Sequence, residues 1–277
     1  MANITAAEVN KLRKQTGAGM MDCKKALVEA EGDFDKAIEL LRKKGQKVAE
    51  KRSDRDANEG VIVAGTTEDS SFAAMITLNC ETDFVAKNDD FVAVAKNILN
   101  IALNEKPASV EDLRGLKYDD SMTISEKLIE EVGKIGEKIE LSEYVSVSSE
   151  KTIAYNHPGN KTATVVAMNQ SNDDAAAAGR NVAMQIAAMN PVALDESFVS
   201  EEIKARELEI GREQAQKEGK PEAILDKIAE GKLKKYYKEN TLLNQDYFVD
   251  NKMSVKSYLQ SVEKDLTVTD FKRSSLV

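Results

Sequence analysis

The sequence predicts an α+β fold: a three-helix N-terminal module, a core of two related subdomains with small antiparallel sheets covered by helices, and a helical hairpin inserted in the second. Three observations carry that expectation. Apolar residues recur at helical spacing through the first 45 residues or so and at a period of two from Gly60. Residues around position 78 recur around 168. Residues 198–238 form charged, helix-patterned segments that sit in the second copy as an insertion. The expected boundaries are 1–55 for the three-helix module with a basic linker, 56–142 for the first subdomain, and 143–277 for the second with its hairpin at 198–240.

Taken in order, Thr5 and Glu8 have the spacing of a capping box, which satisfies two orphan backbone N–H groups at a helix start. Val9 and Leu12 give that helix an apolar face, and TGAG ends it near Thr16. Asp22 is placed to cap a second helix through Ala30, and Asp33 a third, with Phe34, Ala37, Ile38 and Leu41 on one face. GVIVAG and FAAMITLNC then read as a β-hairpin. In its second strand Ala74, Ile76, Leu78 and Cys80 alternate with Met75, Thr77, Asn79 and Glu81, a face that turns polar toward its end. FVAVAKNILNIAL follows as a helix with Val94, Ile98 and Ile101 or Ala102 along its stripe.

Leu78-Asn79 matches Met168-Asn169 at a shift of 90, and the same shift sets Val92, Ala93 and Val94 against Val182, Ala183 and Met184. EEVGKIGEKIELSEYVSV resembles SVEKDLTVTDFKRSSL, each a helix end followed by a strand. In the insertion, FVSEEIKARELEIGREQAQKE and EAILDKIAEGKLKKYYK are joined by GKP, where glycine ends one helix and proline opens the next. Leu225, Ile228, Ala229, Leu233 and Tyr236 form its narrow seam. Such a coiled-coil-like seam either packs on a second copy, making a homodimer through 198–240, or folds onto its own core.

Composition narrows the function. Net charge is −9, with 13 Lys and Arg against 9 Asp and Glu in residues 1–55 and 26 against 39 in the rest. An acidic bulk is a poor phosphate-binding surface, so no stable nucleic-acid binding is expected; the basic run 42–55 keeps an RNA- or ribosome-associated module open as the rival reading. No apolar run reaches the roughly 20 residues of a membrane span, and the N-terminus lacks a secretory pattern. Two separated cysteines fit a reducing cytoplasm.

Enzyme chemistry lacks its parts. One histidine, His157, and the distant Cys23 and Cys80 give no zinc spacing, and no phosphate-binding or nucleophile-elbow motif occurs. No cofactor, metal or catalytic residue is therefore expected; a Cys80–His157 nucleophile pair is the formal alternative, set against a packed thiol on a strand. What stands out is Phe84 in NCETDFVAKNDDF, an aromatic in a polar turn of a chain with 5% aromatics and no tryptophan. It either folds into the core or is offered to a partner. Met20-Met21, at a glycine-bounded helix start, pose the same question, since neighbours cannot both face inward on a helix. His157 lies in the turn YNHPGN between two strand-like runs.

NKLRKQTGAGMMDCKKAL and NCETDFVAKND, with IGEKI at 135–139, NHPG, and GKPEAILDKIAEGKLKKYY at 219–237, resemble the bacterial elongation factor Ts family, exchange factors for elongation factor Tu. The resemblance covers nearly the whole chain. It implies a ubiquitin-associated-like N-terminal module, a guanine nucleotide exchange activity in translation, and elongation factor Tu as partner. It further implies that Asp83 and Phe84 of T-D-F-V-A-K, Thr82 to Lys87, are pushed into the partner's GTPase domain beside the nucleotide. Thr82 and Val85 flank that contact. By the same resemblance Leu12, Arg13, Met20 and Met21 meet a helix of that domain, and His157 and Val249 approach another. Some members continue past the last strand with a further helix, which DFKRSSLV does not supply.

Overall fold

The computed structural model describes residues 4–276. Thr5 opens α1 (Ala6–Thr16): its hydroxyl accepts from the Glu8 N–H while the Glu8 carboxylate accepts from the Thr5 N–H, as the capping-box spacing requires. Gly17, at φ +69°, ends it. The next helix, α2 (Met20–Glu29), starts earlier than the Asp22 cap predicts, with Gly19 at the N-cap and Asp22 inside the first turn. Asp33 caps α3 (Phe34–Arg52) through the N–H groups of Asp35 and Lys36. This helix continues without a break to Arg52, so most of the basic run 42–55 is helix rather than linker.

The first sheet is ordered β1 (Glu59–Thr66), β2 (Phe72–Cys80), β3 (Glu140–Ser148). Every residue of β2 is buried, which replaces the half-polar strand of the sequence reading, because a central strand is covered on both faces. Gly60 has φ +149°, and a Cβ there would stand 2.3 Å from the Leu78 carbonyl oxygen, so the strand pairing itself demands glycine. Between β2 and β3 lie α4 (Asp83–Ala86), α5 (Asp89–Glu105), α6 (Val110–Gly115) and α7 (Ile124–Ile135).

The second sheet is ordered β4 (Lys151–Asn156), β5 (Thr162–Met168), β6 (Val268–Ser275), antiparallel throughout, with Ile153 opposite Val166 and Val166 opposite Phe271. α8 (Asp173–Met189), the hairpin α9 (Glu201–Lys217) and α10 (Glu222–Asn240), and α11 (Val255–Val262) connect β5 to β6. In the hairpin Leu225 and Ala229 are buried, and a Cβ on Gly211 would lie 3.1 Å from the Ala229 Cα. Small residues let the two helices approach, and of the predicted seam Leu225 and Ala229 are buried while Ile228, Leu233 and Tyr236 stay partly exposed.

The chain forms two units. One runs through Val63 and takes in Ile76–Val145 with the C-terminal end; the other holds Ala64–Met75 and Ser146–Ser275. Within the first, α3 crosses α7 where Gly45 faces Gly133: a Cβ at Gly133 would stand 2.9 Å from the Gly45 Cα, and one at Gly45 2.9 Å from the Ile129 carbonyl oxygen. That crossing fastens the three-helix bundle to the rest of the unit.

The structure also revises the repeat. The buried residues of α5 are Phe91, Val94, Ala95, Ile98, Leu99, Ala102 and Leu103, and those of α8 include Ala175, Ala178, Gly179, Val182, Ala183, Ile186 and Ala187. Each pair differs by 84, not by the 90 that relates Asn79 to Asn169. Both helices begin behind an asparagine cap, Asn88 and Asn172. LNCE at 78–81 and NDD at 88–90 therefore match the continuous MNQS-NDD at 168–174, and the first copy carries six extra residues, Thr82 to Lys87.

Candidate partner-binding site

Those six residues contain the candidate site. β2 ends at Cys80, and the chain turns through Glu81 and Thr82 into α4, whose second residue is Phe84. Phe84 is 83% exposed, so the core reading of this side chain is excluded. A helix of one turn has no stability of its own, and its placement comes from anchors. The Glu137 carboxylate accepts hydrogen bonds from the N–H groups of Glu81 (3.1 Å) and Thr82 (3.0 Å) and from the Thr82 hydroxyl (2.7 Å). That hydroxyl accepts in turn from the Val85 N–H, capping α4, so Thr82 faces inward.

On the other side of the turn, the Glu81 carboxylate accepts from Arg52 (2.6 Å), Arg55 (3.5 Å) and the Lys138 N–H (2.6 Å). Burial opposes ionisation of Glu81, but the Lys138 N–H and the two guanidinium groups outweigh it and hold the carboxyl below its usual range. Asp83 pairs with Lys87 at 2.6 Å, and this hydrogen bond lowers the Asp83 carboxyl against a smaller opposing effect of burial. Phe84 thus stands beside a carboxylate that stays charged at neutral pH. Beneath it a groove is bordered by Val85, Asn88, Phe91, Glu131 and Lys134. Glu131 is buried and held by Lys127 (2.9 Å) and Lys134 (3.7 Å). Glu130 and Glu131 raise the Lys127 ammonium above its ordinary value although burial pulls it down.

The other predicted residues divide. Met20 and Met21 are both exposed, at 52% and 62%, because they occupy the first turn of α2 outside the bundle. Arg13 is exposed as well. Leu12 is a correction: it is fully buried with Val9, Leu27 and Ala37, the apolar face of α1 being closed by α2 and α3. The Lys134 side chain lies against Gly17 and also borders the Phe84 groove, which links the α1–α2 turn to α4 in one unit. His157 and Val249 belong to the other unit. His157 lies exposed in the β4–β5 turn, its Nδ1 3.0 Å from the Tyr155 hydroxyl. Val249 is 66% exposed beside Phe248.

Sequence reasoning missed Glu137 and Glu81 as supports. The IGEKI segment was the available signal, but nothing local shows that a carboxylate 55 residues on reaches the Thr82 hydroxyl. Cys80 is buried, its thiol donating to the Thr82 carbonyl, so it is packed rather than presented. Among the described residues no cluster of His, Cys, Asp and Glu is placed to hold a metal, and no helix is long and apolar enough to cross a membrane. In the basic run, Lys43 pairs with Glu39, Lys44 with Asp22, and Arg52 and Arg55 with Glu81.

Phe84, on a turn braced by two carboxylates, is the most exposed large apolar side chain among the described residues. Comparison with known proteins gives the chain a family. Residues 81–276 match the family described as Elongation factor TS. The chain is 53% identical over 276 residues to "Elongation factor Ts" of Christiangramia forsetii, covering all of both chains, and 52% identical to that of Amoebophilus asiaticus, covering 98% of each. That of Flavobacterium psychrophilum is 51% identical, again over all of both chains. The chain belongs to the elongation factor Ts family, the nucleotide exchange factors for elongation factor Tu in translation elongation.

Proposed function

We propose that this chain accelerates GDP release from elongation factor Tu by inserting Phe84, with Asp83 beside it, next to the nucleotide site, and that it performs no covalent chemistry. The observation that carries the reading is Phe84 itself, 83% exposed on a turn fixed from both sides. Exposing an aromatic forgoes its burial energy, which a partner's surface restores on binding.

The mechanism follows from linkage. GDP is retained by a phosphate loop and by Mg²⁺ bridging phosphate oxygens to protein groups. A wedge that shifts the elements supporting that ion weakens the nucleotide without touching its base. The factor binds the nucleotide-free conformation best, and it weakens GDP by the same factor by which GDP weakens it. Met20 and Met21, two adjacent exposed thioethers, suit adaptable packing against a partner helix, with Arg13 near the same end. His157 and Val249 supply contacts from the second unit to another partner domain. The hairpin remains available as a dimerisation element, with Ile228, Leu233 and Tyr236 of its seam partly exposed.

The test is release of a fluorescent GDP analogue from purified elongation factor Tu, with the wild-type chain and with Phe84→Ala. Acceleration by the first and a loss of it in the second supports the wedge; equal acceleration by both removes it.

A further inference from the structure

We propose that Glu137 is a positioning residue for the Phe84 wedge, an inference that rests on the exchange reading above. Its carboxylate takes three hydrogen bonds from two consecutive residues, both backbone N–H groups on Oε2 and the Thr82 hydroxyl on Oε1. A carboxylate offers about four acceptor positions, and three of them are filled here from one turn. The held residue is the cap of α4, so the direction in which Phe84 leaves the surface is set at Thr82. Gly136, at φ +82°, ends α7 and delivers Glu137 to this position.

The second copy supplies the contrast. There the strand exit is tied through side-chain amides: the Asn169 and Gln170 NH2 groups donate to the carbonyls of Asp265 and Lys264 in the turn that follows α11, and the Asn169 amide oxygen accepts from the Thr267 N–H. That arrangement suffices for a plain strand-to-helix turn. A carboxylate acceptor facing two backbone N–H groups occurs at the exit that carries the six extra residues. An exposed aromatic on a one-turn helix otherwise samples many directions, and only the fraction aimed at the partner is productive.

The test uses the full chain with elongation factor Tu loaded with a fluorescent GDP analogue, Phe84→Ala serving as benchmark. Glu137→Ala is expected to lower the maximal release rate at saturating factor about tenfold while the half-saturating concentration moves less than about threefold. Glu137→Gln keeps an oxygen for both N–H groups and offers its amide to the Thr82 hydroxyl, and it recovers most of the rate. Thr82→Val lowers the maximal rate by about threefold, adds little on top of Glu137→Ala, and decides the matter should the alanine variant not fold. A purely structural role instead lowers thermal stability without splitting maximal rate from half-saturation.

Amide hydrogen exchange of the isolated chain reads the same bonds without the partner: Glu137→Ala speeds exchange at Glu81 and Thr82 and leaves the β2 amides protected. A Glu137→Ala chain with the wild-type maximal rate, or with unchanged Glu81 and Thr82 amides, overturns the proposal. Absence of acceleration by the unmodified chain overturns the exchange reading instead, and the amide measurement then decides alone whether Glu137 holds the turn.

Discussion

The two copies of the β-β-α unit part company at one point, the exit from the central strand. In the second, four residues separate Met168 from Asp173, and Asn172 caps α8 directly. In the first, Thr82 to Lys87 are interposed before Asn88 caps α5 in the same way. The helices that follow keep step over seven buried positions shared by α5 and α8. The segment proposed to carry the function is thus an addition to the shared strand-to-helix connection, held by the Glu137 and Glu81 carboxylates.

If that view is right, the addition can be removed. Deleting Thr82 to Lys87 joins Glu81 to Asn88 and recreates the short connection of the second copy. Exchange activity should fall to the spontaneous release rate, the largest effect expected here. Stability in urea should stay within about 2 kcal/mol of the parent, since shortening a surface connection costs little closure entropy. A deletion variant that fails to fold makes α4 part of the scaffold and breaks the comparison.

Two aromatics seven residues apart sharpen it. Phe91 is buried at the start of α5, whereas its counterpart in α8 is Ala175. Phe91→Ala should therefore cost about 3–5 kcal/mol in denaturant unfolding, against the near-zero stability change expected of Phe84→Ala. Glycines divide the units in the same manner. Gly133→Val forces α3 and α7 apart and should destabilise by about 1–3 kcal/mol, with the loss read at Gly45 and its neighbours by hydrogen exchange. Gly231, inside α10, has open space where a Cβ would go; Gly231→Ala should raise stability by about 0.5–1 kcal/mol, and a loss there would reveal a contact the hairpin does not show.

How much of this was readable in the sequence depends on the range over which the information acts. Caps act over three residues, so the Thr5–Glu8 box and the Asp33 cap were legible, as was the glycine-proline join of the hairpin. The repeat was visible but its shift was not constant, and a single offset of 90 hid the insertion that matters most. Periodicity set Leu12 with Val9 on the apolar face of α1, while the resemblance gave it to a partner; α2 and α3 enclose it. The Gly45–Gly133 crossing and the hold of Glu137 on Thr82 join residues 88 and 55 apart, a range at which no local pattern carries a signal.

Acid separates the units by a smaller effect with a definite sign. Carboxyls held below their ordinary values include Glu8, Asp33, Glu39, Glu81, Asp83, Asp119 and Glu126 among the described residues, and these seven lie in the first unit. The shifted groups of the second are Lys204, Arg212, Tyr236, Tyr247 and Arg273, which titrate far above neutrality. A carboxyl lowered by folding contributes stability that is fully present above its unfolded value, 4.5 for Glu and 3.8 for Asp, and that is lost as pH falls through the folded value. In the second unit the Asp69 carboxylate accepts from the Thr67 hydroxyl and from the Ser71 N–H and hydroxyl, to be set against the several such turns of the first unit. Amides of the first unit should therefore lose protection before those of β4, β5 and α8 as pH is lowered from 5 toward 3, with the difference narrowing in high salt because most of these pairs are exposed. Simultaneous loss, or earlier opening of the second unit, would show that the caps and the Glu81 pairs add nothing that distinguishes the unit bearing Phe84.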